Sequence, residues 1–164
     1  MNTKLSKTFS TAFLFALVSP FTLAGNSGAD LSMRPAIYVT SSKTTIDLKN
    51  DKYVAAGGTI TLKKSQSVGC EENKCTFHLG IIAFKSGGPS TLSTYGLFKV
   101  PTVIYVGNTI FFANTESTKQ QVLPVKLAIG KNTVIFTIDP DNKIVETNET
   151  NNSFTVTIVV DGMS

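Results

Sequence analysis

From residue 25 onward the apolar residues fall into short runs with the spacing of strands, and no segment carries a sustained helical period. In residues 133–138, Val134, Phe136 and Ile138 point one way while Thr133, Ile135 and Thr137 point the other. Residues 154–160 repeat the pattern, with Phe154, Val156, Ile158 and Val160 opposite Thr155, Thr157 and Val159. Such alternation places one face on a core and leaves the other largely wet. Residues 76–84 instead run apolar almost throughout, as a strand buried on both faces does. Further strand-like pieces lie at 36–39, 44–48, 59–62 and 122–129, bounded by Gly, Asn, Ser and Pro. Gly107 and Asn108 separate two β-rich runs, 97–106 and 109–113, and predict a hairpin turn because both residues reach positive φ easily. Pro101 and Pro124 interrupt two of the runs, and each predicts a bend or a sheet edge because proline removes a backbone donor. Residues 85–95, with Gly87, Gly88 and Pro89, predict a long loop.

Seven to eight short strands in a chain of this length predict an all-β, antiparallel, immunoglobulin-like sandwich. Tryptophan is absent and the two cysteines are close together, unlike the buried Trp and inter-sheet disulfide of antibody domains.

The first 24 residues stand apart from this pattern. Lys4 and Lys7 precede an apolar run, residues 9–18, and small residues follow at 22–24, the arrangement of a secretory signal peptide. The run falls short of the roughly 20 residues that a bilayer-spanning helix needs. Residues 25–34 are small and polar and predict a flexible lead, and residues 35–162 form the sandwich domain. Removing the leader leaves 164 − 24 = 140 residues, with 15 − 2 = 13 basic against 11 acidic side chains. Those lysines are scattered, with no basic stripe interleaved with aromatics, so nucleic-acid binding is not indicated. No transmembrane segment is expected once the leader is gone, and the chain is expected outside the cytoplasm, in the periplasm or beyond it.

Cys70 and Cys75 both lie in the exported part, and an oxidising compartment favours a disulfide between them. The alternative is a metal site of the form C-x4-C-x2-H with His78, which offers three ligands where zinc prefers four. His78 is the single histidine, and no nucleophile elbow, paired-histidine zinc motif or phosphate-binding glycine loop is present, so an enzyme is not expected. Acidic side chains concentrate at 139–149. Asp139, Asp141, Asn142 and Glu146 offer oxygen ligands for a weak calcium site, although the spacing is not that of an EF-hand. Turn building explains the same residue types, since Asp and Asn hydrogen-bond their own backbone. No cofactor beyond that possible calcium is expected. Tyr95, Phe98, Tyr105, Phe111 and Phe112 cluster in the middle of the chain. Phe111 and Phe112 are adjacent in a strand and point to opposite faces, so one of them is a candidate docking residue.

The run from Asp139 to Asn152, D-x-D-N-x-I-V-E-x-N-E-x-N-N between two strands, resembles the C-terminal half of CARDB domains, the bacterial cell-adhesion-related modules with an immunoglobulin-like fold. Asp30-Leu31 resembles the opening of such domains, and residues 58–62 resemble their second strand. The middle departs from the pattern, with the Cys70 to Cys75 loop and a longer, more aromatic stretch before Asn114. The resemblance implies an exported, non-enzymatic binding or adhesion module that presents loops or a sheet edge to a protein or glycan at the cell surface. The alternatives are a self-associating structural subunit of an envelope assembly and a secreted hydrolase or an inhibitor of one.

Overall fold

The computed structural model describes residues 28–101 and 104–163, without the side chain of Ile104, so the signal-peptide assignment for residues 1–24 lies outside the described residues. Among the described residues, eleven strands form two facing sheets: β1 (Asp30–Met33), β2 (Ala36–Thr40), β3 (Lys52–Ala55), β4 (Thr59–Lys63), β5 (Gly69–Glu71), β6 (Lys74–Ser86), β7 (Leu92–Val100), β8 (Ile104–Phe112), β9 (Ser117–Ala128), β10 (Gly130–Ile138) and β11 (Ser153–Asp161). One sheet is built on β6, which pairs with β9 along one side and with β5, β2 and β1 along the other, β3 continuing beyond β2. The second sheet runs β4-β11-β10-β7-β8, antiparallel except for the parallel β4–β11 pair. This is the immunoglobulin-like sandwich the alternation predicts, with eleven strands rather than seven or eight. The additional strands are short ones that carry too few residues to show a period: β1 and β3 have four each and β5 three.

The inward residues are those of the alternating pattern. Phe98, Phe112, Phe136, Val134, Ile138, Val156, Ile158 and Val160 from one sheet meet Phe77, Leu79, Ile81, Val125 and Leu127 from the other. Phe98 and Phe136 are directly opposed across β7 and β10, with centroids 4.7 Å apart and an edge-to-face angle of 65°. Such a contact adds about 0.5–1.5 kcal/mol to the burial of the rings. β6 is buried on both faces, as expected, because a loop, not another strand, lies across its outer side. Residues 41–50 form that loop, and 44–48 is not a strand: Ile46 is buried against Tyr38 and Ile82 while Leu48 is exposed. One apolar anchor suffices for a cover, and Gln120 Oε1 fixes it by accepting from Ile46 N at 2.9 Å. The close approach needs Gly80, where a Cβ would meet Ile46 at 2.7 Å.

Three further expectations are corrected. The lead expected to be flexible through residue 34 ends earlier: β1 pairs with β6 from Asp30, and Leu31 is fully buried in the core. β7 and β8 pair antiparallel along their length, and Gly107 and Asn108 sit inside β8 opposite Leu97 and Gly96 rather than at a turn. Gly107 serves a neighbouring ring rather than a turn, since a Cβ there would come within 2.3 Å of Tyr95. The loop expected over 85–95 is short, because β6 continues to Ser86 and β7 begins at Leu92. Pro124 lies on β9, whose far side has no strand partner, so it occupies a sheet edge as expected. Pro101 falls in the turn after β7.

Candidate functional site

The connection from β10 to β11, where the candidate calcium ligands lie, is held by its own polar side chains. Asp139 has a positive φ of 49° and is buried, yet both carboxylate oxygens are engaged: Oδ1 accepts from Thr94 Oγ1 at 3.3 Å and Oδ2 from Ile144 N at 2.8 Å. Its backbone N–H donates to the Tyr95 carbonyl at 2.9 Å, tying the loop to β7. Asp141 is exposed and pairs with Lys143 at 2.7 Å, a bond that holds the Lys143 ammonium above its usual range. Asn142 takes a positive φ of 50° and donates its N–H back to the Asp139 carbonyl.

Glu146 faces elsewhere. Its Oε2 accepts from Leu31 N at 2.6 Å and its Oε1 from Asn152 Nδ2 at 2.9 Å, so it latches β1 to the start of β11. Burial pushes its carboxyl up to about 7, against the lowering effect of those two bonds, and the nearby charges of Glu149 and Asp139 raise it further. Asp139, Asp141 and Glu146 are thus each engaged by different protein groups. Among the described residues no cluster of three or more His, Cys, Asp or Glu side chains is placed to hold a metal ion. Turn building, the alternative reading of these residues, is what the geometry displays.

Cys70 and Cys75 form a disulfide across the β5–β6 hairpin, with Cα atoms 4.0 Å apart, and thus form no metal site with His78. His78 is buried, with no hydrogen-bond partner at Nδ1.

The aromatic pair divides sharply. Phe112 is 0% exposed and belongs to the core, so it cannot dock anything, whereas Phe111 is 53% exposed on the outer face. Strand alternation puts Tyr105, Thr109 and Phe111 of β8 on that face with Ser93, Tyr95 and Lys99 of β7. Tyr95 is 43% exposed and Tyr105 64%. The Tyr95 ring rests on Gly107, and the Lys99 ammonium sits 5.6 Å from the centroid of the Tyr105 ring. Tyr105 and Phe111 lie six residues apart along β8, about 20 Å at the rise of a strand. Where this face meets the β10–β11 loop there is a cleft of about 240 Å³ lined by Ser93, Tyr95, Thr109, Asp141 and Lys143. A ring face, two hydroxyls and a charged pair thus share one concave site on a rigid sheet. The sequence groups Tyr95 and Tyr105 with Phe111 in one aromatic stretch, but only the β7–β8 register reveals that the three share the outer face.

No curated protein matches the chain. Among solved structures, the chain is similar to the CARDB domain of a Pyrococcus furiosus protein, in a crystal structure described as a complex with di-metal ions, at 18% identity, TM-score 0.49, and coverage of 83% of this chain and 91% of that one. A solution NMR structure of the same domain gives 18% identity, TM-score 0.46, and coverage of 82% and 96%. The N-terminal domain of PorA gives 8% identity, TM-score 0.35, and coverage of 82% and 100%. The resemblance seen in the acidic loop and its flanking strands is matched at the level of sequence families as well: the CARDB family model matches residues 104–156, from the first residue of β8 into β11.

Proposed function

We propose that the protein is an exported, non-enzymatic binding module whose working surface is the outer face of β7 and β8, and that its partner is a glycan chain at the cell envelope or outside it. The carrying observation is the half-exposed Tyr95 ring lying on Gly107 at the mouth of the cleft that holds Asp141 and Lys143. A sugar presents flat C–H faces that stack on such a ring and vicinal hydroxyls that hydrogen-bond carboxylate and hydroxyl side chains. Tyr105 and Phe111 lie along the same face and extend the contact beyond one sugar unit. The CARDB match supports a binding role, because that family is named for its relation to adhesion. Export is supported by the leader pattern and by the Cys70–Cys75 disulfide, a bond that persists in oxidising compartments. Among the described residues no helix is long and apolar enough to cross a membrane.

The test is titration calorimetry of the disulfide-intact protein with β-linked glucose and N-acetylglucosamine oligosaccharides and with soluble peptidoglycan fragments. Binding by one of these that is lost in Tyr95→Ala and weakened in Asp141→Asn, both variants staying folded, supports the proposal. No binding to any of them, or binding indifferent to both substitutions, overturns it. Capture of an envelope protein that Tyr95→Ala abolishes would replace the glycan with a protein partner.

A further inference from the structure

The sandwich has four long or terminal sheet edges, formed by β3 and β9 in one sheet and by β4 and β8 in the other. Unpaired edges invite other strands, and proteins guard them with charge, proline or short length. β9 carries Lys119, Pro124 and Lys126; β3 has four residues and begins with Lys52; β4 has five and ends with Lys63. β8 has nine residues, no proline and no charged side chain, within a stretch from residue 101 to 115 that is uncharged throughout.

The backbone of β8 is oriented to receive a strand. Asp139 N donates to the Tyr95 carbonyl, so Tyr95 turns its polar backbone groups toward β10. In an antiparallel ladder these groups alternate along a strand, and the partners of residues turned away are themselves turned away. Thr109, opposite Tyr95, therefore faces the open side, and Tyr105, Gly107 and Phe111 face it in step. One of these donors is covered locally, since Thr109 N donates to Asn108 Oδ1 at 2.8 Å. Beside Thr109 and Phe111 that side borders a groove of about 410 Å³, whose other wall is Lys119, Gln120, Gln121 and Val122 of β9 with Lys43 and Thr44 of the 41–50 loop.

We propose that β8 pairs antiparallel with β8 of a second copy of this chain, about a two-fold axis at Asn108, joining the two five-stranded sheets into one of ten. The register follows from the side chains. Centred on Asn108, the pairing sets Gly107 against Thr109 of the second copy and Tyr105 against its Phe111, twice by symmetry. Val106 then opposes Ile110 on the inner side. Aromatic pairs stabilise antiparallel neighbours, and like charges directly opposite destabilise them. This register has the first at both ends and none of the second within the strand. An isologous two-fold contact of this kind closes on itself and does not propagate into fibres. The pairing does not depend on the glycan reading; it would set two aromatic faces side by side and double the platform.

The experiment is sedimentation velocity of the purified, disulfide-intact protein over a concentration series, with two charge-swap variants. One carries Tyr105→Lys with Phe111→Lys, the other Tyr105→Glu with Phe111→Glu. Both side chains of each variant are on the exposed outer face, and circular dichroism verifies that the fold is retained. The wild-type protein is expected to pass from monomer to dimer with rising concentration. Each variant sets like charges opposite one another and is expected to dimerise at least about tenfold more weakly. An equimolar mixture of the two variants sets Lys against Glu at both ends and recovers the dimer. A wild-type protein that stays monomeric, a lysine variant that dimerises like the wild type, or a mixture that fails to recover would each overturn the proposal. A wild-type protein that stays monomeric yet binds an oligosaccharide through Tyr95 would leave the glycan reading standing, and a wild-type dimer that binds none would leave the pairing standing, so the two proposals fail separately.

Discussion

Glu146 offers a direct test of how the β10–β11 loop is held. Burial pushes its carboxyl from the usual 4.5 up to about 7, against the lowering bonds from Leu31 N and Asn152 Nδ2, and the charges of Glu149 and Asp139 add a smaller upward push. A carboxyl whose folded-state pKa is raised binds its proton more tightly in the folded chain than in the unfolded one. The stability tied to this proton is complete below about pH 4.5, declines as the pH rises through the window from 4.5 to 7, and is gone above it. At about 1.36 kcal/mol per unit, a shift of about 2.5 units would amount to roughly 3.4 kcal/mol for a fully buried group. Glu146 is half-buried, and solvent screening reduces that to about 1–2 kcal/mol.

Glu146→Gln removes the charge and keeps an acceptor for Leu31 N. Its amide N–H would face Asn152 Nδ2, but Asn152 Oδ1 is buried without a partner, and a turn of the Asn152 amide supplies the matching acceptor. Urea unfolding of both proteins between pH 5.5 and 8.5 is the assay. The wild type is expected to lose about 0.6–1.2 kcal/mol across that range, the part of the window above pH 5.5, and the variant to lose little and to be the more stable of the two at pH 8.5. The range stays above the acid region where Glu71 and Asp47, both held below their usual values by hydrogen bonds to Lys126 and Asn50 respectively, contribute in the opposite direction. A wild type whose stability is flat or rises over this range, or a slope that persists unchanged in Glu146→Gln, would refute the assignment.

Other substitutions probe the remaining elements. Phe112→Ala should cost about 3–5 kcal/mol in denaturant unfolding, as core aromatic deletions do, whereas Phe111→Ala one residue earlier should cost under about 0.5 kcal/mol; equal effects would place the two rings wrongly. Replacing both Cys70 and Cys75 by Ala opens a loop of only a few residues and should cost about 2 kcal/mol by chain entropy, with the change in hydrogen exchange confined to the β5–β6 hairpin. Lys85, 1% exposed, donates to three backbone carbonyls, of Gly87, Asn114 and Thr115, at 2.7–3.1 Å. Lys85→Met leaves those acceptors without their donor and should cost about 2–3 kcal/mol, with exchange accelerated first at residues 113–116.

The sequence disclosed what repeats and concealed what depends on register. The alternation in β10 and β11 was long enough to show which residues face inward, and Val134, Phe136, Ile158 and Val160 are all core. The double burial of β6 was visible in its composition, although its outer cover is a loop with one buried apolar side chain, Ile46, and could not be distinguished from a strand. Gly107 and Asn108 carried the strongest local turn signal in the middle of the chain, and tertiary packing overrode it. A glycine that admits a ring and a glycine that admits a turn leave the same mark in a sequence. Lys85 looked like any dispersed lysine, because the three carbonyls it caps come from two loops that only the fold brings together. The binding face was half visible. Phe111 was legible as one of two alternating neighbours, but Tyr95 joins it only through the pairing of β7 with β8.

The acidic loop carries the family resemblance, and this bears on where function should be sought. Asp139 builds a turn and ties it to β7, Glu146 and Asn152 latch β1 to β11, and Thr147 N donates to the Ala29 carbonyl. These bonds close one end of the sandwich, joining β1 to the start of β11. A polar segment required for closure is constrained by the fold whatever the domain binds, since each buried carboxylate or amide left unpaired carries a desolvation cost. The residues that make this chain resemble CARDB are thus largely the ones already engaged within it. Asp141 and Lys143 differ: both are exposed, both are free of the closing network, and both line the cleft under Tyr95. Substitution at Asp139 should therefore lower stability and binding together, whereas substitution at Asp141 should lower binding alone, and a loss of stability at Asp141 comparable to that at Asp139 would place the cleft inside the architecture rather than on the binding face.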